Sequence, residues 1–532
     1  MKTPIFDYVN EYINEKTARF HMPGHKGVPG FLGVEPRDLT EIDGADELYL
    51  ADGIILESEK IAGSFFNAET FYSTEGSSHT IKAMLALVLK WSKLKGDSRT
   101  LILAGRNAHK TLINACITLD IDVDWIMPKE SDSYESCQIS ACELKEILGG
   151  YKAANRPLPR ALYVTSPDYL GNILDIKGLS KVCHEYGLIL CVDNAHGAYL
   201  RFLETSLHPI DLGADIVCDS AHKTLPVLTG GAYLHVGKAE GVGADVGSGV
   251  DAHGADADCT ANAGATNADC TTGAVLSSDL IAARTFFKDN ANSALALFGS
   301  TSPSYIILQS LDACNVYLEN LGQTLVGVSA FVDKIKERFV SKGYSLMGTE
   351  PLKITLYFEN KSGNELADLM YKIGVIPEYY DKKHIVCMVT SQNTINDMNR
   401  LVEFFDREDV RNIAGAGNEA ISGDGSVGDD TADGSGLDGV GVGCAVGSGS
   451  VGASAVGGSK RIETPKRALS FKDAYFAPSE KVLIKDSVGR IMSEALLSCP
   501  PAVPLFMSGE VIDERILTNR DWLSDDTVSV VF

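Results

Sequence analysis

Lys223 lies in Ser220-Ala221-His222-Lys223-Thr224, directly after the apolar run Asp215-Ile216-Val217-Cys218. A second apolar run, Leu188-Ile189-Leu190-Cys191-Val192, ends in Asp193-Asn194-Ala195-His196. If each run is a strand, an amine and a carboxylate stand at two strand ends with one helical crossover between them. A lysine amine condenses with an aldehyde, and an aspartate can keep a pyridine nitrogen protonated. Those are the two fixtures that pyridoxal phosphate chemistry needs. Thr224-Leu225-Pro226-Val227-Leu228 gives Lys223 an apolar setting, where desolvation lowers the pKa and favours the neutral nucleophile.

Other residues fit around that pair. Ser73-Thr74-Glu75-Gly76-Ser77-Ser78-His79 precedes an apolar helical stretch beginning at Thr80. A helix N-terminus offers free N–H groups and a positive dipole end, and Gly76, Ser77 and Ser78 let an anion such as phosphate approach. The same residues also suit an ordinary N-cap. His109 follows the run 101–104, where an imidazole either stacks on a flat ring or sits in a surface turn. His196 can line the same crevice, and Ser220 and His222 can hold a phosphate or position the imine. A carboxylate ending a buried strand, as Asp193 does, is costly unless it is paired, at an open edge, or capping a helix. In an open α/β sheet, ligands bind beyond the carboxyl ends of the strands. His109, Asp193 and Lys223 all fall at such ends.

The elements that position these residues alternate. Short, continuously apolar runs at 101–104, 125–127, 161–165, 188–193, 215–219 and 231–236 read as strands of a parallel sheet covered on both faces. Helical stretches such as 80–91 and 176–186 fit between them, giving a doubly wound α/β domain. A second unit follows. Phe331, Val332, Ile335 and Phe339 have helical spacing, with Gly343 as the stop. Leu352, Ile354, Leu356 and Phe358 alternate as a half-buried strand. A helix through Leu366, Leu369, Met370 and Ile373, a strand at 385–389 and a helix through Met398, Leu401, Val402 and Phe405 complete it. The expected division is an N-terminal segment 1–60, a large domain 61–315, a small α/β domain 316–410, a linker 411–459 and a C-terminal unit 460–532.

Stretches 239–276 and 414–459 are Gly, Ala, Asp, Ser and Val with almost no aromatics, and are expected to be disordered. Asp429, Asp433 and Gly434 faintly resemble a calcium loop but lack its closing glutamate, so a flexible linker is the better reading and no metal is expected. The net charge of −24 argues against a nucleic-acid partner, which requires a basic face. The longest apolar helical run, 84–89, is too short for a bilayer, and the first residues show no secretory signal. The 12 cysteines are scattered without a C-x-x-C pair and read as core residues in a reducing, cytoplasmic setting.

Together the motifs resemble the bacterial ornithine/lysine/arginine decarboxylases of pyridoxal phosphate fold type I. The resemblance rests on Ser220-Ala221-His222-Lys223-Thr224-Leu225-Pro226 with Asp193-Asn194-Ala195-His196-Gly197. It extends to Phe20-His21-Met22-Pro23-Gly24-His25-Lys26-Gly27, Arg106-Asn107-Ala108-His109-Lys110, Gly299-Ser300-Thr301-Ser302-Pro303-Ser304-Tyr305 and Cys499-Pro500-Pro501-Ala502-Val503-Pro504 with Gly509-Glu510-Val511-Ile512. It covers nearly the whole chain outside the two low-complexity stretches.

The resemblance implies an aspartate-aminotransferase-like large domain, a small α/β domain and a C-terminal α+β decarboxylase domain. It implies that Lys223 forms the Schiff base, Asp193 pairs with the pyridine nitrogen and His109 stacks on the ring. Gly76, Ser77, Ser78, His196, Ser220 and His222 would surround the phosphate and imine, with Lys223 or His222 returning a proton. Thr301 and Ser302 would reach the cofactor of a neighbouring subunit in a homodimer or larger homo-oligomer. The implied activity is decarboxylation of lysine, arginine or ornithine to a di- or polyamine. Other fold type I reactions, aminotransfer or aldol-type cleavage, share the Asp193/Lys223 pair, and a non-catalytic regulator that binds the cofactor is the remaining alternative. The family pattern differs at Glu75 (Asn in the family), Gly230 (Gln), Cys499 (Tyr) and Ala502 (Gly). Glu510 is the residue expected in the side-chain pocket.

Overall fold

The computed structural model describes residues 2–30, 32–129, 133–239, 277–416, 461–497, 502–519 and 526–532. The large domain is built on a seven-stranded sheet: β1 (Ala68–Ser73), β2 (Leu101–Gly105), β3 (Asp122–Ile126), β4 (Ala161–Thr165), β5 (Ile189–Asp193), β6 (Ile216–Asp219) and β7 (Ala232–Gly237). Its order is β1-β7-β6-β5-β4-β2-β3. Strands β3, β2, β4, β5 and β6 are parallel. β7 runs antiparallel to both its neighbours, β6 and β1. The run at 231–236 was expected to be parallel. It is buried at every position, like the parallel strands β5 and β6, so its hydrophobic pattern carries no directional information.

Helices cover both faces because every central strand is apolar on both sides. Ile189, Leu190, Cys191 and Val192 are all buried, and each aliphatic side chain contributes roughly 1.5–3 kcal/mol on burial. That packing fixes the end of β5, and with it Asp193. The helical crossover expected between β5 and β6 is a short 3₁₀ helix, Ala198–Phe202, followed by turns.

The helix Tyr305–Ser341 has 37 residues, spans about 55 Å at the usual rise, and links the large sheet to the second unit. The expected helix around Phe331–Phe339 is its last part. The second unit is a four-stranded antiparallel sheet of β8 (Ser345–Met347), β9 (Lys353–Tyr357), β10 (Tyr379–Tyr380) and β11 (His384–Met388), ordered β10-β11-β9-β8. Helices Gly363–Lys372 and Ile395–Asp406 accompany it, the latter opened by a Thr394/Asp397 capping box.

The C-terminal residues form two small antiparallel ladders. In chain order the strands are β12 (Ser479–Leu483), β13 (Leu496–Leu497), β14 (Pro504–Phe506) and β15 (Thr527–Val531), with β12 pairing β15 and β13 pairing β14. The two stretches expected to be disordered lie outside the described residues apart from their edges, as do Asp429, Asp433 and Gly434. At one such edge, the helix Glu408–Ala414 closes on Gly415 in a left-handed conformation, with Ala416 buried, so ordered chain runs past position 411. Among the described residues, no helix is long and apolar enough to cross a membrane.

Candidate active site

A cavity of about 350 Å³ opens at the carboxyl ends of the parallel strands. Ser77, His109, Asp193, His196 and Lys223 line it, together with Asn107, Lys110, Glu135, Thr165, Tyr169, Glu378 and Ala502. Each candidate arrives by a separate route. Asp193 is the last residue of β5 and Thr165 the last of β4. Lys223 sits in the one-turn helix Ala221–Thr224 that follows β6. His109 caps the helix Lys110–Leu119 four residues after β2. Ser77 begins the helix Ser77–Leu94 that follows β1.

Asp193 is buried. Its Oδ1 accepts a hydrogen bond from Ala195 N (3.2 Å) and its Oδ2 one from the Tyr163 hydroxyl (3.1 Å). It does not cap a helix, because the next helical turn, Ala198–Phe202, is capped by Gly197. Burial raises its pKa, while the charge of Lys223 pulls it back down. Burial lowers the pKa of Lys223, with Asp193 and Glu378 opposing and Lys353 assisting. The lysine is thereby drawn toward the neutral amine that attacks an aldehyde.

Lys223 Nζ lies 3.1 Å from His196 Nε2. With Nε2 accepting from the ammonium, the proton of neutral His196 sits on Nδ1, which is buried without a hydrogen-bond partner. Burial, then Lys223, keeps His196 well below the usual imidazole range. Thr165 Oγ1 is a second buried polar atom without a partner on this wall. His109 Nδ1 accepts from Thr111 N (3.3 Å) and lies 2.8 Å from Thr111 Oγ1, which fixes the ring plane. Burial and the charges of Lys223 and Lys110 bring its pKa to about 4, so the ring is neutral.

The helix beginning at Ser77 has no side-chain cap. Its N-cap is Gly76 at φ 74°, a conformation that favours glycine. Gly76 N donates to Gly230 O (2.7 Å), and Ser220 Oγ donates to Ser77 Oγ (2.8 Å), so the lysine loop is tied to the helix start. Gly230 is itself required: at φ 105° an added Cβ would lie 2.7 Å from Thr74 O. Ser78 is turned toward Thr111, its Oγ 3.1 Å from Thr111 Oγ1. His222 does not line the cavity. Its Nδ1 donates to Gly231 O (2.9 Å), and its Cε1 faces the Gly76 turn.

Thr301 and Ser302 are exposed and lie outside this cavity; Ser302 N donates to Ser300 Oγ. Glu75, the departure from the family pattern, accepts from Ser300 N (2.6 Å) and so tethers that loop to the helix start. Glu510, expected in the side-chain pocket, lies elsewhere. Its carboxylate takes both Arg106 Nη1 (3.0 Å) and Nη2 (2.8 Å) and also accepts from Met507 N (2.9 Å). That buried pair clamps the C-terminal unit to the turn that carries His109. Lys110 N donates to Ala502 O, bringing Ala502 and Val503 onto the cavity wall. Sequence reasoning missed Glu135, Thr165, Tyr169 and Glu378, which occupy loops or strand ends with no motif of their own.

Residues 3–246 match the family model described as Orn/Lys/Arg decarboxylase, major domain. That match covers a little under half of the chain. The chain is 26% identical to an arginine decarboxylase of Halalkalibacterium halodurans, over 97% of this chain and 92% of the relative. It is 24% identical to an arginine decarboxylase of Bacillus subtilis, with the same coverage. The fold is similar to that of a Francisella novicida lysine decarboxylase (TM-score 0.68, 14% identity, 100% of this chain and 81% of the other). A lysine decarboxylase of Pseudomonas aeruginosa matches with TM-score 0.68 and 16% identity over 99% and 80% of the two chains. The architecture is that of fold type I, with a large, mostly parallel sheet.

Proposed function

We propose that this chain is a pyridoxal phosphate-dependent decarboxylase of a basic amino acid, releasing CO2 and a di- or polyamine. One observation carries the reading: Lys223, Asp193 and His109, from three separate segments, line a single cavity at the strand ends. The arginine and lysine decarboxylases it resembles support the substrate class.

The residues fit the cofactor. The helix start at Gly76-Ser77 is free of a side-chain cap, and Gly76 leaves open space where a Cβ would stand, with only His222 Cε1 near, at 3.9 Å. His196 Nδ1 and Thr165 Oγ1 are buried donors without partners on the same wall. Lys223 would hold the aldehyde carbon, Asp193 the pyridine nitrogen, His109 the ring face, and Ser77, Ser220 and the first turn of the helix the phosphate. When bound, the cofactor supplies an electron sink for the bond that breaks.

The chain's own residues do the rest. Asp193, held by Tyr163 and Ala195, would keep the ring nitrogen protonated. His109 is neutral and fixed by Thr111, so it would stack on the ring without adding charge. His196 is held beside Lys223 Nζ and orients the amine. Lys223 is the group placed to return a proton to the substrate carbon. The His222 ring is engaged by Gly231 O and faces the Gly76 turn, where it steadies the phosphate loop. Thr301 and Ser302, exposed and away from this cavity, are assigned to the cofactor of a second copy in a homodimer, acting in the cytoplasm.

The test is to incubate the purified, cofactor-loaded chain with arginine, lysine and ornithine and to identify the products. Release of CO2 with one matching amine is expected. Formation of a keto acid without CO2 would assign the chain to aminotransfer.

A further inference from the structure

We propose that Glu135, with Glu378 at the cavity mouth, receives the cationic end of the substrate side chain, and that this pair of carboxylates selects a basic amino acid. The inference rests on the decarboxylase reading above and names the subsite it needs. Both glutamates line the cavity that holds Lys223, Asp193 and His109. They come from distant segments, Glu135 from the loop after β3 and Glu378 from the loop before β10.

Glu135 is only 1% exposed. Its Oε1 lies 3.4 Å from the Tyr379 hydroxyl, whose proton goes to Asp381 Oδ2 at 2.7 Å. Its Oε2 has no well-formed hydrogen bond, although the Ser133 hydroxyl and the Glu135 amide lie close enough to pull its pKa down. Burial is the larger influence and raises that pKa; Asp381 adds to the rise and His384 opposes it. A carboxylate this buried and this poorly bonded costs free energy, which a cation brought against it would offset. Glu59 shows the contrast: it is equally buried, does not line the cavity, and accepts a 2.8 Å bond from Tyr72 N.

Glu378 is exposed at the rim, where its Oε1 accepts from the Tyr169 hydroxyl (3.0 Å). Its charge is felt by Lys223. Once Lys223 is neutral, that carboxylate is free to attract another cation. Tyr169 packs edge-on against both Tyr379 (5.3 Å between centroids) and His196 (5.2 Å), forming one aromatic wall between the two glutamates and the reacting amine. The charged groups around the cavity are then Lys223, Lys110 and Asp193 on the cofactor side and the two glutamates on the other. An extended amino acid with its α-amine at Lys223 would place its far end against that acidic wall.

The test uses the cofactor-loaded chain with E135Q and E378Q, both close to isosteric. The binding of agmatine, cadaverine and putrescine is measured by calorimetry, alongside kcat and KM for the matching amino acids. E135Q is expected to weaken the preferred amine and raise KM by about 100-fold, and E378Q by about 10-fold, the range for removing one partner of a buried or rim charge pair. The visible absorbance of the bound cofactor should be unchanged in both. Amine binding and KM within twofold of wild type in E135Q would overturn the subsite. Should E135Q fail to fold, E378Q decides: an unchanged KM overturns the proposal. A wild-type chain that releases no CO2 from any of the three amino acids would overturn the decarboxylase reading instead, while its amine binding would still decide the subsite.

Discussion

Two buried aspartates end neighbouring strands, and only one of them faces a ligand cavity. Asp219, at the end of β6, accepts from His208 Nε2 (3.0 Å) and His235 Nε2 (3.2 Å) through Oδ2, and from Asn194 Nδ2 (2.6 Å) through Oδ1. The cluster closes on itself: His208 Nδ1 lies 3.4 Å from Ile210 N and His235 Nδ1 2.9 Å from Thr70 Oγ1. The three side chains could in principle grip a metal, but the outer hydrogen bond of His208 places its proton on the nitrogen that faces Asp219, leaving no lone pair there for an ion. Asp193, at the end of β5, has two neutral donors, a lysine across the cavity, and partnerless atoms nearby at His196 and Thr165. Hydrogen bonds and nearby histidines outweigh burial at Asp219 and lower its pKa, whereas burial wins at Asp193 and raises it. A closed cluster stabilises the fold, and an open one is left poised for a ligand.

The contrast can be broken by substitution. K223A is expected to remove turnover by about 10⁴-fold or more, the scale for an essential covalent group, with little change in thermal midpoint. D193N should cut kcat by about 10²- to 10³-fold while leaving the cofactor-free fold as stable as wild type, since it removes a poorly compensated buried charge. D219N should do the reverse. It should cost about 3 kcal/mol of stability in urea, because the NH2 that replaces one oxygen must face either the two histidine N–H groups or Asn194 Nδ2, donor against donor, with activity per folded molecule within tenfold of wild type. Equal stability losses in D193N and D219N would erase the distinction.

The two carboxylates should also titrate with opposite sign in the cofactor-free protein. Asp219 has a depressed folded pKa, so the stability it contributes is present above the ordinary carboxylate value of 3.8 and is lost as pH falls below it. His235, lowered by burial, extends that acid lability upward: below 6.5 the unfolded chain binds a proton that the folded chain refuses. Asp193 has a raised folded pKa, so its contribution is present at low pH and is lost as pH rises from 3.8 through the folded value. Urea midpoints measured against pH should therefore show reduced acid lability in D219N, and in D193N a shallower fall with rising pH. Parallel profiles for the two variants would contradict the assignment.

How much was legible in the sequence followed from how local each signal was. Lys223, Asp193 and His109 each follow an apolar strand, so strand-end logic alone gathered them. The strands at 101–104 and 161–165 were readable for the same reason, whereas β1 (Ala68–Ser73) was not, because Glu69 interrupts its apolar run. The direction of β7 leaves no mark on hydrophobic periodicity. The first half of the helix Tyr305–Ser341 does carry helical spacing, through Leu308, Leu311, Cys314, Leu318, Leu321 and Leu325, and only the boundary expected near position 316 hid that it is one helix with the Phe331–Phe339 stretch. Side-chain partners across long separations were invisible. Arg106 and Glu510 are 404 positions apart, and their pairing is why Glu510 is a clamp and not part of the pocket. Glu135 and Glu378 belong to no motif, and only the folded cavity shows that both face the lysine.

The most direct measurement is chemical. The purified chain is loaded with pyridoxal phosphate, reduced with borohydride, digested, and the labelled residue located by mass spectrometry. The account predicts one pyridoxyl group per chain, on Lys223, with no label in K223A. A label on Lys110, Lys353 or any other lysine, or retained labelling in K223A, would contradict it.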